Sequence, residues 1–366
     1  MHGDSRPSAA SIQGGLTWPA AASPGAERIG CFDLLRLIAA LLVLGSHQLA
    51  VAGLPEIGIA GIGTFGALGV GIFFAISGYL NTLSIMRSKS ATSFLINRLF
   101  RIYPALFVCV CACIVLGAFL TSRPIENYLF AAGDGPWRFF WKNAIAMRTE
   151  YVLADVFDAN HLKGIVNASL WTLPIEIKLY ICFAALAWLA RFKMAVVCVA
   201  VVGLLVGAAL STTVRDMVSP LVSGEALRLT TLFAVGATVA VIEARFGFSR
   251  ATIAVSLIAL LLLCFSSLNW ALTFAIPVAA IAAGKLKIPL LTPKMDISYG
   301  MYLYAFPVQQ LSVLLLGSLW ASSAFAVAVT TMAAVLSALF VEQPAMTLRR
   351  SFPQTARGAS ARPSLG

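Results

Sequence analysis

The sequence predicts an all-α fold: a polytopic integral membrane bundle of about ten spanning helices, with both termini in the cytoplasm. Composition is the first reason. Of 366 residues, 60% are hydrophobic and 11% charged, and the mean hydropathy is +0.89; ordinary soluble domains carry about 25% charged residues. Recurrence is the second. Apolar runs of near-spanning length, each close to the ~20 residues that cross a hydrocarbon core, return from residue 33 to residue 343. Charge asymmetry is the third. With the N-terminus inside, Arg36, Lys178 and Arg228 fall within runs and Arg123, Arg138, Lys142, Arg148, Lys163 and Arg215 outside; the remaining 17 of the 26 Lys and Arg lie inside. That is the positive-inside pattern. It also accounts for the net charge of +11 without a nucleic-acid partner.

Taken in order, residues 1–30 are rich in Ala, Ser, Pro and Gly without an apolar run, and read as a disordered cytoplasmic tail. Residues 31–348 hold the spans, at 33–52, 65–85, 104–120, 173–190, 194–211, 227–243, 251–267, 269–284, 297–316 and 320–341. The first starts too late and runs too long for a cleaved signal peptide, so it stays as an anchor. The glycines Gly61, Gly63 and Gly66 match a dinucleotide fingerprint, but no strand–turn–helix unit surrounds them. They lead into the second span, where small residues let helices approach closely. The one long loop, 121–172, lies outside and carries Trp137, Phe139, Phe140, Trp141, Tyr151 and Phe157 among mixed charges. It suits either a sugar-binding lid or an interfacial helix with an aromatic belt. Asn167 and Ser169 form a glycosylation sequon that abuts the membrane and is discounted. Residues 349–366 read as a basic cytoplasmic tail on the inner surface. No internal repeat supports an inverted-repeat transporter.

All seven cysteines lie within spans or at the inner edge. They suggest no disulfide framework and no metal-type spacing, so no metal is expected.

Chemistry concentrates on a few ionisable residues at membrane depth, where charge is costly and marks function by default. Arg36 and His47 are 11 residues apart on the first span, about three helical turns. Both side chains therefore leave one face, roughly 16 Å apart along the axis. Arg36 is also placed to snorkel as a plain anchor, and a lone membrane histidine can be a satisfied packing residue. Arg98 and Arg101 share a face at the inner surface, just before the third span. Two adjacent guanidinium groups suit phosphate or pyrophosphate oxygens, and equally suit an orientation anchor. Glu176 follows Pro174 into the fourth span, a few residues from the outer face. Counted by depth it shares a layer with His47, where a carboxylate would fix the tautomer of a general base.

The ordered blocks resemble acyltransferase family 3 membrane proteins, which transfer acyl groups, usually acetyl, to sugar hydroxyls. The blocks are Arg28 to Arg36 (RIGCFDLLR) running on to His47, similar to that family's Arg-x10-His motif; Phe73 to Leu80 (FFAISGYL); Arg98 to Pro104 (RLFRIYP), similar to its R-x-x-R motif; Ser169 to Glu176 (SLWTLPIE); Ile297 to Pro307 (ISYGMYLYAFP); and Val341 to Pro344 (VEQP). The resemblance implies acetyl-CoA as acyl donor, bound through Arg98 and Arg101, and a glycan or lipid-linked sugar as acceptor. It implies catalytic roles for His47, Glu176 and Arg36, and a bacterial inner (plasma) membrane location. Many members have a histidine in the block before Phe306 and Pro307, where this chain has Ala305. The alternative reading is a proton-coupled transporter of a sugar or lipid-linked intermediate, with Arg36, His47 and Glu176 as its proton path.

Overall fold

A computed structural model of the chain describes residues 31–88, 90–131, 133–189, 224–246, 269–288, 293 and 295–352. The expected spans 194–211 and 251–267, the tail 1–30 and the end of the basic tail lie outside these residues. The described part is almost wholly helical: α1 Phe32–Val51, α2 Phe65–Arg87, α3 Ala91–Leu120, α4 Ile125–Leu129, α5 Pro136–Ile145, α6 Leu173–Leu189, α7 Gly224–Phe246, α8 Asn269–Gly284, α9 Ser298–Leu315, α10 Leu319–Ser337 and α11 Gln343–Ser351. A short 3₁₀ turn, Ala168–Thr172, feeds α6, and a π turn, Ala338–Glu342, joins α10 to α11. Among the described residues, six helices are long and apolar enough to cross a membrane.

Length and punctuation explain most of these elements. α1 runs 20 residues without a break, about 30 Å. It starts at Cys31, whose N–H donates to the Gly284 carbonyl at 2.7 Å and so ties α1 to the end of α8. The glycines after α1 divide their work. Gly61 and Gly63, at φ +76° and +107°, turn a two-stranded hairpin in which Gly58 pairs with Thr64. The Thr64 hydroxyl then accepts from Ala67 N–H to cap α2. Further along, Gly78 of α2 and Gly236 of α7 face the opposite backbone so closely that an added Cβ would meet the Phe233 and Ala75 carbonyl oxygens. The small residues thus set the α2–α7 crossing.

Two elements differ from expectation. α3 begins at Ala91 and carries Pro104 in its interior, so Arg98 and Arg101 lie within the same helix that spans. The long loop also does more than cap an outer surface. α5 exposes Trp137, Trp141 and Ile145 on one side and buries Phe139 and Asn143 on the other, the pattern of a helix lying along an interface. The chain then dives inward, with Leu153, Val156, Val166, Asn167 and Ser169 all fully buried. Gln310 of α9 holds it there: its Nε2 donates to the Leu162 and Ile165 carbonyls at 2.8 and 2.7 Å, and its Oε1 accepts from Asn160 at 2.7 Å. Asn167 Nδ2 donates to the Leu303 carbonyl at 2.9 Å, so the sequon asparagine is a packing residue.

α9 is the central helix. It packs against α1, α3, α10 and the 3₁₀ turn, and its polar side chains bond within the bundle. Cys109 and Cys113 face this core, while Cys111 points elsewhere; the described cysteines are all free. Cys198 and Cys264 lie outside the described residues.

Candidate functional site

A cavity of about 100 Å³ opens inside the bundle between α1, α2, α3, α6 and α9. Arg36, Arg98 and Arg101 form one end. Ser77, Thr172, Glu176, Tyr180, Tyr299 and Tyr302 give it hydroxyls and one carboxylate, and Val70, Phe73 and Phe74 give it an apolar wall. A wider, wetter space of about 460 Å³ adjoins it, lined by the same three arginines with Asn97, Asp296, Met346, Arg349 and Arg350. The three shared arginines stand where the outer space meets the inner one.

Sequence spacing makes Arg98 and Arg101 equivalent; their partners do not. Arg101 donates to Asp296 Oδ2 at 2.6 Å and lies 3.6 Å from Glu342. Arg36 lies 3.5 Å from Asp296 and 3.7 Å from Asp33. Asp296 is itself fixed, because its Oδ1 accepts from Ser298 N–H at 3.0 Å and Ser298 Oγ at 2.6 Å where α9 begins. Burial alone would push the Asp296 carboxyl up, but Arg101, Arg36 and the Ser298 bonds hold it below the usual carboxylate range. Arg98 has no such commitment. Its Nη2 donates to Ser84 Oγ at 3.1 Å, its guanidinium lies 5.4 Å from the Phe94 ring centroid, and its buried Nε has no partner. Among the described residues no carboxylate comes within ion-pair distance of it.

Glu176 is in this cavity and not beside His47. It accepts from the Tyr180 hydroxyl one helical turn on, and from Ser77 Oγ at 3.3 Å. Ser77 also meets the Tyr180 hydroxyl at 2.9 Å and accepts from Asn81 Nδ2 at 3.0 Å. Ser77 shares the level of the α1 start, since its near neighbour Tyr79 stacks on Phe32. The expectation that Glu176 and His47 share a layer is therefore corrected. Counting residues from the outer face assumed that α6 starts at the membrane surface. The re-entrant segment 146–172 instead delivers the α6 N-terminus already deep in the bundle.

His47 lies where α1 geometry puts it, 11 residues beyond Arg36 on an unbroken helix. Its ring packs edge-on against Phe306 at 5.4 Å, and its Nδ1 is buried without a hydrogen-bond partner. It is separate from the cavity walls but close. An added Cβ on Gly69 would meet Val43 Cγ2 at 2.9 Å, which sets cavity-lining Val70 beside the level of Val43. His47 is one turn further, about 6 Å along the axis. Gln309 Nε2 donates to the Leu44 carbonyl at 2.6 Å and locks α9 to this part of α1. Ala305 is buried in a small cluster with Ala40, Leu44, Met301 and Ala334, so the position that holds a histidine in many members is closed by helix packing.

Asp296, Glu342, the Ser77–Tyr180 pair and Arg349 are the residues that sequence reasoning passed over. Asp296 had one usable signal, an acid two residues before a serine at a helix start, where its carboxylate accepts the Ser298 N–H in an Asx turn. Glu342 and Tyr180 had only their places in or beside the quoted blocks.

The described residues thus form a membrane helical bundle with an arginine-lined mouth, a polar cavity and, close to it, a buried histidine whose Nδ1 has no partner. The chain belongs to acyltransferase family 3: the model of that family, an acyltransferase domain, matches residues 29–342. It is 33% identical over 302 residues to an O-acetyl transferase of Shigella phage Sf6, covering 78% of this chain and 86% of that protein. It is also 33% identical over 356 residues to Nodulation protein 10 of Rhizobium leguminosarum bv. viciae, covering 87% and 94%. No solved structure matches it. The protein is an O-acyltransferase enzyme, which sets the transporter reading aside.

Proposed function

We propose that the enzyme moves an acetyl group from acetyl-CoA, bound at a cytoplasmic arginine mouth, to a hydroxyl of a cell-surface polysaccharide or lipid-linked glycan at the opposite face of a bacterial inner membrane. The observation that carries this reading is the alignment of mouth, cavity and histidine along one face of α1. Arg98, with an unpartnered Nε at the junction of the two spaces, takes donor phosphate oxygens. Arg36 and Arg101, held by Asp296, add positive field without giving up their own partners. The pantetheine arm lies in the cavity, past the Glu176, Tyr180 and Ser77 hydrogen-bonding groups and then the apolar wall. An extended arm of roughly 16 Å matches the Arg36–His47 rise and delivers the thioester to the imidazole.

The step balances without a covalent enzyme intermediate. The acceptor oxygen bonds to the thioester carbonyl carbon as His47 Nδ1 takes its proton, and the tetrahedral intermediate collapses with cleavage of the C–S bond. The departing CoA thiolate then recovers the proton. The donor and acceptor never have to cross the membrane; only the acetyl group does. The positive-inside pattern supports this orientation.

The test measures ester-linked acetate on surface glycan from cells carrying wild-type or His47→Ala protein at equal membrane abundance. The variant should leave the glycan unacetylated. Wild-type acetate levels in the variant would remove His47 from the mechanism.

A further inference from the structure

The family match ends at residue 342, yet α11, beyond it, helps to build the mouth. α11 packs on α3 and presents Arg349 and Arg350 at the same space as Arg36, Arg98 and Arg101. The two α11 arginines differ. Arg350 is exposed, whereas Arg349 is only 8% exposed, with Nη2 donating to Ser93 Oγ at 3.3 Å and a buried Nε that has no partner. Among the described residues no carboxylate reaches it within ion-pair distance. A buried guanidinium with an idle donor is costly unless an anion completes it. Arg98 lines both spaces and Arg349 only the outer one. The two idle guanidinium groups therefore mark two anion positions, one at the entrance to the cavity and one farther from it.

We propose that Arg349 reads the 3′-phosphate of the coenzyme A donor, resting on the donor reading above. The diphosphate directly precedes the pantetheine arm and belongs at Arg98, beside the cavity. The ribose 3′-phosphate is off the arm's path and belongs at the outer position. It is a monoester with about 1.5 to 2 negative charges, the form that a forked guanidinium binds best. A carrier-protein phosphopantetheine has no such group, so Arg349 selects free coenzyme thioesters. An anionic lipid headgroup carries similar phosphate chemistry, and the test separates the two.

The test uses full-length protein reconstituted in neutral-lipid vesicles, with acetyl-CoA and 3′-dephospho-acetyl-CoA as donors. Wild type should show a KM at least about tenfold lower for acetyl-CoA. Arg349→Gln should raise that KM about tenfold, leave the dephospho donor within about twofold, and leave kcat within about twofold. Arg349→Lys keeps a charge without the fork and should fall between; it serves if the glutamine variant does not accumulate. A ratio unchanged in Arg349→Gln, as an arginine that reads anionic lipid would leave it in these vesicles, or both KM values raised alike, overturns the proposal. A wild type that treats the two donors alike overturns it too, while leaving coenzyme A as donor. A wild type that uses neither donor overturns the donor reading itself.

Discussion

Arg98 and Arg101 look interchangeable in the sequence, and truncating each should give opposite phenotypes. Arg101→Ala removes the countercharge of Asp296 at 2.6 Å and of the nearly buried Glu342 at 3.6 Å. Breaking a buried pair from one side costs about 3–5 kcal/mol. Arg36 still lies 3.5 Å from Asp296, which places the cost at about 3 kcal/mol, the lower end of that range. Arg98→Ala loses one hydrogen bond to Ser84 and a stacking contact with Phe94. Together these are worth about 1–2 kcal/mol. Its functional loss should be the larger. One phosphate-directed charged hydrogen bond is worth about 1.5–3 kcal/mol, or about tenfold to a hundredfold in donor affinity. The assay heats detergent-solubilised variants, scores the folded fraction by size exclusion, and measures KM for acetyl-CoA on the material that remains folded. Arg101→Ala should lose thermal resistance first, and Arg98→Ala should fall between it and wild type, with the raised KM. The reasoning fails if Arg101→Ala is as heat-resistant as wild type, or if Arg98→Ala binds donor normally.

Three further outcomes follow from the same geometry. His47→Gln should lower kcat by about 10²–10³, within the usual range for loss of a general base, while KM for acetyl-CoA moves less than about twofold because the arginine mouth is about 16 Å away. Steady-state kinetics with saturating acceptor read both. Glu176→Gln keeps a hydrogen-bonding group beside Tyr180 and Ser77 and has no contact with His47; it should raise donor KM and leave the pH–rate profile in place, and a displaced profile would restore a direct Glu176–His47 link. Asp296→Asn addresses acid sensitivity. Its folded carboxyl is held low, so its stabilisation is present above the ordinary carboxylate pKa of about 3.9 and is lost as pH falls through the folded value. Heat resistance should therefore fall between about pH 5 and pH 3 more steeply in wild type than in Asp296→Asn, and parallel curves would show that Asp296 is not the group that titrates.

The fold class and the helices that carry the site were legible because apolar length is nearly sufficient to specify a span. Arg36 and His47 were placed correctly relative to each other for a similar reason: both sit on one unbroken helix, and helical periodicity needs no tertiary information. Glu176 was misplaced because its depth depends on a segment whose path is set from elsewhere. Gln310 and Asn167 pull 146–172 into the bundle through side-chain bonds to backbone carbonyls, and hydropathy does not register such bonds. The unequal fates of Arg98 and Arg101 were hidden likewise, since Asp296 and Glu342 are about 200 or more residues away in sequence.

The ion cluster also explains why so much charge is tolerated at this depth. A lone arginine inside a bundle must be satisfied by protein or stay open to ligand. Asp296 satisfies two arginines at once, and it is pre-aligned by Ser298 at the start of the central helix. Glu342 adds a second contact to Arg101 from the π turn, a kind of helix irregularity that recurs at functional sites. Had Asp296 and Glu342 instead been distributed to Arg98 and Arg349, the mouth would be electrostatically complete without a ligand and would bind phosphate poorly. The carboxylates neutralise Arg36 and Arg101, which tie the helices together, and among the described residues leave Arg98 and Arg349 without an ion pair at the same outer space. On this argument, moving a carboxylate to Arg98, for example by Ser84→Asp, should raise heat resistance while weakening donor binding. A variant that gained both would show that the idle guanidinium is not reserved for the donor.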